Sequence, residues 1–166
     1  MSNPSQNQAE AAAPAHGPYL DKFVPEVYKD LVKATADLRK FYAEVDLQPQ
    51  LTELVMVRAS QLNRCGTCLS IHVPQARNYG VSQRKLDLLS AWREAGDLFS
   101  DHEKAALELC ERLTLLPDDG VSNGRAAIKA CEVFHEEQVA ALEWGIILIN
   151  AFNRVSIASA HPLRKY

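Results

Sequence analysis

The stretch Cys65-Gly66-Thr67-Cys68-Leu69-Ser70-Ile71-His72 holds the residue types and spacing in this chain that can do chemistry. On a helix, positions three and four apart share a face, so Cys65, Cys68 and His72 converge. A cysteine at a helix start sits among unsatisfied backbone N–H groups at the positive end of the dipole, and both favour thiolate over thiol. A histidine one turn on can stabilise that thiolate as a cation or take its proton as a base. Two thiols at this spacing can close a disulfide and open it again, which suits turnover better than stapling a fold. The small Gly66 and Thr67 keep the helix start accessible. The same spacing occurs as half a zinc site, with His72 as third ligand, but no second Cys-x-x-Cys or His-x-x-x-His follows to complete it. The expectation is redox chemistry without a metal or cofactor.

Glu53 lies twelve residues before Cys65, among the apolar Leu51, Leu54, Val55 and Val57. If its helix packs on the cysteine helix, its carboxylate can accept or donate a proton there. Otherwise it is an ordinary first-turn glutamate favoured by the dipole, and the residues alone favour that plainer reading. Cys110 and Cys131 stand singly inside amphipathic stretches and read as core packing. His16 and His102 read as solvent-exposed, His135 as a residue at a helix junction in a capping role, and His161 as a partner for a helix C-terminus. Asn153 and Arg154 are polar on an otherwise apolar helix, which predicts burial with hydrogen bonds, at a core or an interface. Tyr19, Phe23 and Tyr28 could face a neighbouring subunit, and the sequence does not decide it.

The elements that must position these residues read as helices almost throughout, and the fold class is all-α. Pro25 opens the first helix, with Val27, Leu31, Ala34, Leu38 and Tyr42 on one stripe and an end near Val45. A second runs from about Pro49 to Asn63, and a third from near Cys65 to Tyr79, where Gly80 suits a C-terminal cap. Pro74 inside that third helix predicts a kink or a restart, because it removes an N–H and crowds the Ser70 carbonyl. Ser82 caps a short helix through Trp92, and Ser100 with Glu103 forms a capping box for the next, which stops at Pro117. Asp118-Asp119-Gly120 reads as a turn, Ser122 as the cap of a helix to about Phe134, and the last helix spans Glu136 to about Ser159. That last helix is apolar around much of its circumference, so it is expected at the core or at a subunit interface.

Length and composition bound the rest. One globular domain fits 166 residues that are 47% hydrophobic and 23% charged, and residues 19–166 are expected to form it. Residues 1–18 carry no Val, Ile, Leu, Phe, Tyr or Trp, and read as a disordered tail. A net charge of −3 argues against nucleic acid or an anionic membrane as partner. No run is long and apolar enough for a membrane span, and the N-terminus does not read as a secretory signal. Four cysteines in a chain this long read as cytosolic thiols, so a cytoplasmic location is expected.

The run Glu53-x(11)-Cys65-x-x-Cys68-x-x-x-His72 resembles the motif of the AhpD-like alkylhydroperoxidases, within the carboxymuconolactone decarboxylase superfamily. Its flanks are similar too: Arg58-Ala59-Ser60-Gln61, Ala91-Trp92-Arg93-Glu94 and Ile149-Asn150-Ala151-Phe152-Asn153-Arg154. The resemblance covers roughly residues 20–162 and implies a helical bundle of about six to eight helices that assembles as a dimer, trimer or hexamer. It implies a thiol peroxidase acting on hydroperoxides, re-reduced by a lipoylated or thioredoxin-like partner. In it Cys68 would attack the peroxide, Cys65 would resolve the sulfenic acid, and Glu53 with His72 would relay protons. The dipole, and thioredoxin-like motifs, would favour Cys65 as the attacking thiol; His72, one turn from Cys68, favours Cys68. Thr67 stands where family peroxidases often carry a histidine. The superfamily's decarboxylases generally lack the cysteine pair, so that name would be a family label here. The competing readings are a protein thiol-disulfide oxidoreductase and a non-catalytic redox or zinc-binding interaction protein.

Overall fold

The structure, a computed structural model, describes residues 17–117 and 124–164. Among them are eight α-helices: α1 (Leu20–Phe23), α2 (Pro25–Glu44), α3 (Pro49–Leu62), α4 (Gly66–Asn78), α5 (Gln83–Leu88), α6 (Asp101–Leu115), α7 (Gly124–Ala130) and α8 (Glu136–Ala158). Two 3-10 segments, Leu89–Glu94 and Gly96–Leu98, join α5 to α6, and the described residues contain no strand. The all-α expectation holds.

The helix boundaries follow local chemistry. Pro25 cannot continue α1 and disfavours helical geometry at Val24, whose φ of −130° separates α1 from α2. The Ser82 side chain accepts from the Lys85 N–H at 3.3 Å. Ser100 accepts from the Glu103 N–H at 3.2 Å while Glu103 accepts from the Ser100 N–H at 2.8 Å, the expected capping box. Gly80, at φ +93°, supplies the left-handed residue that ends α4. α6 ends with Leu116 at φ +46°, immediately before Pro117.

α3 packs against α4, α6 and α8, and it is buried on two sides. Val55 and Ala59 join one core cluster with Leu109, Leu142, Ile146 and Ile149. Leu54 and Val57 join a second with Ala76, Leu89, Trp92 and Phe99. A helix clamped between two cores is why its sequence stripe is weak. α8 lies at the centre as expected, with Leu142, Ile146 and Ile149 buried, although Trp144 and Ile147 are exposed.

Several expectations need correction. The helix opening at Ser82 is α-helical only to Leu88; it tightens to 3-10 and kinks at Ala91, where φ is −120°. α7 stops at Ala130 and not near Phe134, and Cys131 in the turn beyond is exposed, not core. α1 was not expected. The Asp118–Gly120 turn and the Ser122 cap lie outside the described residues, as do residues 1–16 of the expected tail, His16 included.

Candidate active site

The turn from α3 to α4 sets the cysteine pair. Arg64 adopts φ +58°, an uncommon conformation for a residue with a side chain. A buried amide network fixes this turn. Asn63 Nδ2 donates to Asn150 Oδ1 and to Asn153 Oδ1, each at 2.8 Å, and Asn153 Nδ2 donates to Ser60 Oγ at 3.2 Å. Asn153 is thus buried and bonded as expected. Arg154 is not buried: it is exposed and reaches back to Asn150 O and Oδ1 at 3.0 and 2.9 Å.

Cys65 follows as the N-cap of α4. Its N–H donates to Ser60 O at 3.0 Å and its Sγ accepts from the Cys68 N–H at 3.3 Å. Cys65 and Cys68 are joined as a disulfide with their Cα atoms 5.3 Å apart. They are only 1% and 4% exposed.

A cleft of about 590 Å³ opens between α2, α3, α4 and α8. α4 presents Cys68, Ile71, His72 and Gln75 to it along one face, with Tyr79 at the helix end. Cys68 therefore lines the cleft, and Cys65 does not. Glu53, 6% exposed, reaches across from α3, and its Oε2 lies 2.7 Å from His72 Nδ1. The plain reading of Glu53 as a first-turn dipole partner is overturned, because α3 and α4 pack closely enough to bring it to His72. With Glu53 as a carboxylate, Nδ1 carries the proton and donates, which leaves Nε2 as the ring's acceptor. α4 runs through Pro74 without a restart.

Thr67 faces elsewhere. Its Oγ1 donates to His161 O at 2.6 Å, and the Arg164 N–H donates to Ser70 Oγ at 3.0 Å, so residues 161–164 lie as a strap along the first turns of α4. Leu163 packs on Gly66, where an added Cβ would meet its Cδ2 at 3.1 Å. His161, beyond the end of α8, pairs through Nε2 with Asp21 Oδ1 at 3.0 Å and stacks on Tyr19, instead of facing the helix dipole. Desolvation is the largest single influence on the Asp21 carboxyl and pushes it up, but the hydrogen bonds and charges of His161 and Lys22 together outweigh it and hold it below its ordinary value.

The cleft contains residues that the sequence reading missed. Tyr42 from α2 sits with its hydroxyl over Gly145 of α8, where an added Cβ would collide with Oη. Burial pushes this phenol above its ordinary value; Arg39 opposes the shift and Glu53 adds to it, so the hydroxyl stays protonated. A glycine inside an apolar helical run, which costs roughly 1 kcal/mol against alanine, was the available signal. Tyr28 meets Phe152 edge-on at 5.8 Å within the same chain.

The other flanking residues serve the fold. Arg58 bonds Glu111 Oε1 through Nε at 2.8 Å and Nη2 at 2.6 Å, Trp92 Nε1 donates to the same oxygen at 2.9 Å, and Arg93 pairs with Oε2. Burial alone would push the Glu111 carboxyl up, but the bonds from Arg93, Trp92 and Arg58 outweigh it and hold it below the ordinary carboxylate value. Burial pushes the Cys110 thiol up to about 12, so it is inert at neutral pH. His102 is exposed, edge-on to Phe134 at 5.0 Å, and His135 is the N-cap of α8, its N–H donating to Gln138 Oε1 at 3.1 Å. Among the described residues no three or more His, Cys, Asp or Glu side chains are grouped to hold a metal, and no helix is long and apolar enough to cross a membrane.

Comparison with known proteins places this geometry. Residues 25–112 match the carboxymuconolactone decarboxylase family. YdfG of Bacillus subtilis (strain 168), an uncharacterised protein, is 35% identical over 133 residues, spanning 80% of this chain and 89% of its own. A crystal structure from Agrobacterium tumefaciens, of a protein of unknown function proposed as the antioxidant defence protein AhpD, superposes with a TM-score of 0.74 at 25% identity, covering 88% of this chain and 96% of that one. The helical fold is AhpD-like, and the chain belongs to the carboxymuconolactone decarboxylase family.

Proposed function

We propose that the protein is a thiol peroxidase that reduces hydroperoxides through a Cys65/Cys68 dithiol–disulfide cycle. In the reduced protein, His72 Nε2 takes the Cys68 proton while Glu53 holds the ring through Nδ1. The Cys68 thiolate attacks the terminal peroxide oxygen. The O–O bond breaks, Cys68 becomes a sulfenic acid, and the alkoxide leaves as an alcohol with the proton returned by His72. The Cys65 thiol then displaces hydroxide from the Cys68 sulfur, forming the disulfide and releasing water. An external dithiol, lipoylated or thioredoxin-like, returns the two electrons by exchange. The expected setting is cytoplasmic and homo-oligomeric.

The observation that carries this reading is the sharing of one cleft by Cys68, Glu53 and His72, while Cys65 is bonded to Cys68 from outside it. That arrangement supports Cys68 as the attacking thiol and Cys65 as the resolving one. The AhpD-like fold, and the antioxidant-defence role proposed for the Agrobacterium protein of unknown function, support the same chemistry.

The test is intact-mass analysis of the reduced protein after one equivalent of cumene hydroperoxide. Wild type should lose two mass units, and a sulfenic acid should be trapped in Cys65→Ser but not in Cys68→Ser. Trapping only in Cys68→Ser would reverse the two roles, and no oxidation at either cysteine would overturn the peroxidase reading.

A further inference from the structure

Two polar side chains of α2 line the cleft without a partner, and the proposed proton relay uses neither. Tyr42 is only 9% exposed, and its hydroxyl makes no hydrogen bond among the described residues. Its oxygen is not sealed off. Among those residues the only fully enclosed side-chain polar atom that lacks a partner is Gln75 Oε1, so the phenol oxygen keeps surface open to the cleft that Tyr42 lines. A hydroxyl so placed has lost most of its water and gained nothing in exchange, which costs roughly 1–3 kcal/mol and is rare in folded proteins. Gly145 gives it room at the expense of helix propensity.

Arg39 precedes Tyr42 by one turn on the same face of α2, and it lines the same cleft from an exposed position. Its guanidinium makes no ion pair among the described residues. The acid nearest to it in sequence, Asp37, is taken by Lys33 and Lys40 at 2.7 and 3.1 Å. The two acids that line the cleft are engaged as well: Asp46 accepts from Gln48 Nε2 at 2.6 Å, and Glu53 is held by His72. Arg39 acts on the phenol more strongly than Glu53 does, so the larger charge felt there is positive. Leu38, Met56, Leu148 and Ile149 add apolar surface to a cleft of about 590 Å³, which is far larger than a peroxide group needs and is in the range of sites for small organic ligands.

We infer that Arg39 and Tyr42 form a carboxylate subsite: the guanidinium pairs with the anion while the phenol O–H donates to one of its oxygens. Both groups are donors, so their ligand must accept, and a carboxylate accepts at two oxygens. One cation matches one negative charge; a phosphate would bring a second with no group to offset it. The cleft thereby selects organic hydroperoxides that carry a carboxylate, such as oxidised fatty acids. This rests on the peroxidase reading for the chemistry at Cys68. There the O–O bond breaks as described above, the carboxylate takes no part, and the product is the corresponding hydroxy acid.

Binding of unreactive probes tests this without any peroxide chemistry. Octanoate and methyl octanoate share one chain, but only the acid carries the anion. Calorimetry at low salt on the oxidised full-length protein should show octanoate binding about tenfold more tightly, the effect of one charge-assisted hydrogen bond. Arg39→Gln should bring octanoate down to the affinity of the ester. Tyr42→Phe removes only an oxygen that bonds nothing in the free protein, and it should weaken octanoate about fivefold. Equal affinities of the two probes in wild type would overturn the inference. So would a preference that survives Arg39→Gln, or octanoate binding that Tyr42→Phe leaves untouched. A tenfold preference in a protein whose Cys68 no hydroperoxide oxidises would refute the peroxidase reading and leave the carboxylate subsite standing.

Discussion

Replacing Glu53 by glutamine isolates what the carboxylate does for His72. The side chains of His72 and Glu53 are 16% and 7% exposed and their hydrogen bond is 2.7 Å long, so water screens it little. A hydrogen bond to a charged group contributes about 1.5–3 kcal/mol, roughly twice a neutral one. Glutamine can still accept from Nδ1, so the ring keeps its place and only the charge-assisted half is lost, about 1.5 kcal/mol at most. At 1.36 kcal/mol per factor of ten, Glu53→Gln should slow Cys68 oxidation by about tenfold. His72→Ala removes the base itself and should cost on the order of 100-fold or more. Because Glu53 acts only through His72, the double variant should be no slower than His72→Ala alone. The assay is stopped-flow oxidation of reduced Cys65→Ser protein by cumene hydroperoxide, with Cys68 sulfenic acid read by mass. A further tenfold loss on adding Glu53→Gln to His72→Ala would show that Glu53 reaches the reaction by another route and refute the relay.

Four other outcomes follow from the same geometry. Glu111→Gln leaves the largely buried Arg58 without its anion; breaking such a pair costs about 3 kcal/mol, so the thermal midpoint should fall by roughly 6–12 °C, and a shift within a degree would show that the cluster is not holding α3 to α6. The Glu111 carboxyl is held below its unfolded value, so its stabilisation is present above that value and is lost as pH falls through the lowered one. Acid unfolding of wild type should accordingly be steeper with pH than that of Glu111→Gln. Gly145→Ala drives a Cβ into Tyr42 Oη; overpacking of about 1–3 kcal/mol should exceed the helix gain of roughly 1 kcal/mol, and Tyr42→Phe in that background should recover stability in a thermal melt. In a thiol titration of the fully reduced native protein, exposed Cys131 should react and buried Cys110 should not until denaturant is added; a reactive Cys110 would contradict its burial.

What could be read in advance was local. Pro25, Pro49, Ser82, the Ser100/Glu103 box and Gly80 mark helix ends by short-range chemistry, and the structure places them there. The cysteine–histidine spacing is legible for the same reason, since one helix fixes it. The Glu53–His72 contact spans two helices, and only the family resemblance raised it above the plain reading. Tyr42, Gln75 and Gly145 escaped because a cleft walled by four helices has no signature in any one of them. Cys131 was misplaced because α7 ends a turn early, and the 3-10 stretch after Leu88 was hidden because its apolar residues keep helical spacing while the backbone tightens.

The strap over α4 has a consequence for anyone who would edit the redox motif. In many dithiol motifs the two central residues are exchanged to retune the couple. Here Gly66 lies under Leu163, and Thr67 is tied to His161, a residue 94 positions away. The motif is thus a composite of two distant stretches of sequence, and its middle cannot be transplanted as a four-residue cassette. A graft that brings a bulkier pair into those positions must bring a rewritten 161–164 with it, and a relative that differs at one stretch is expected to differ at the other.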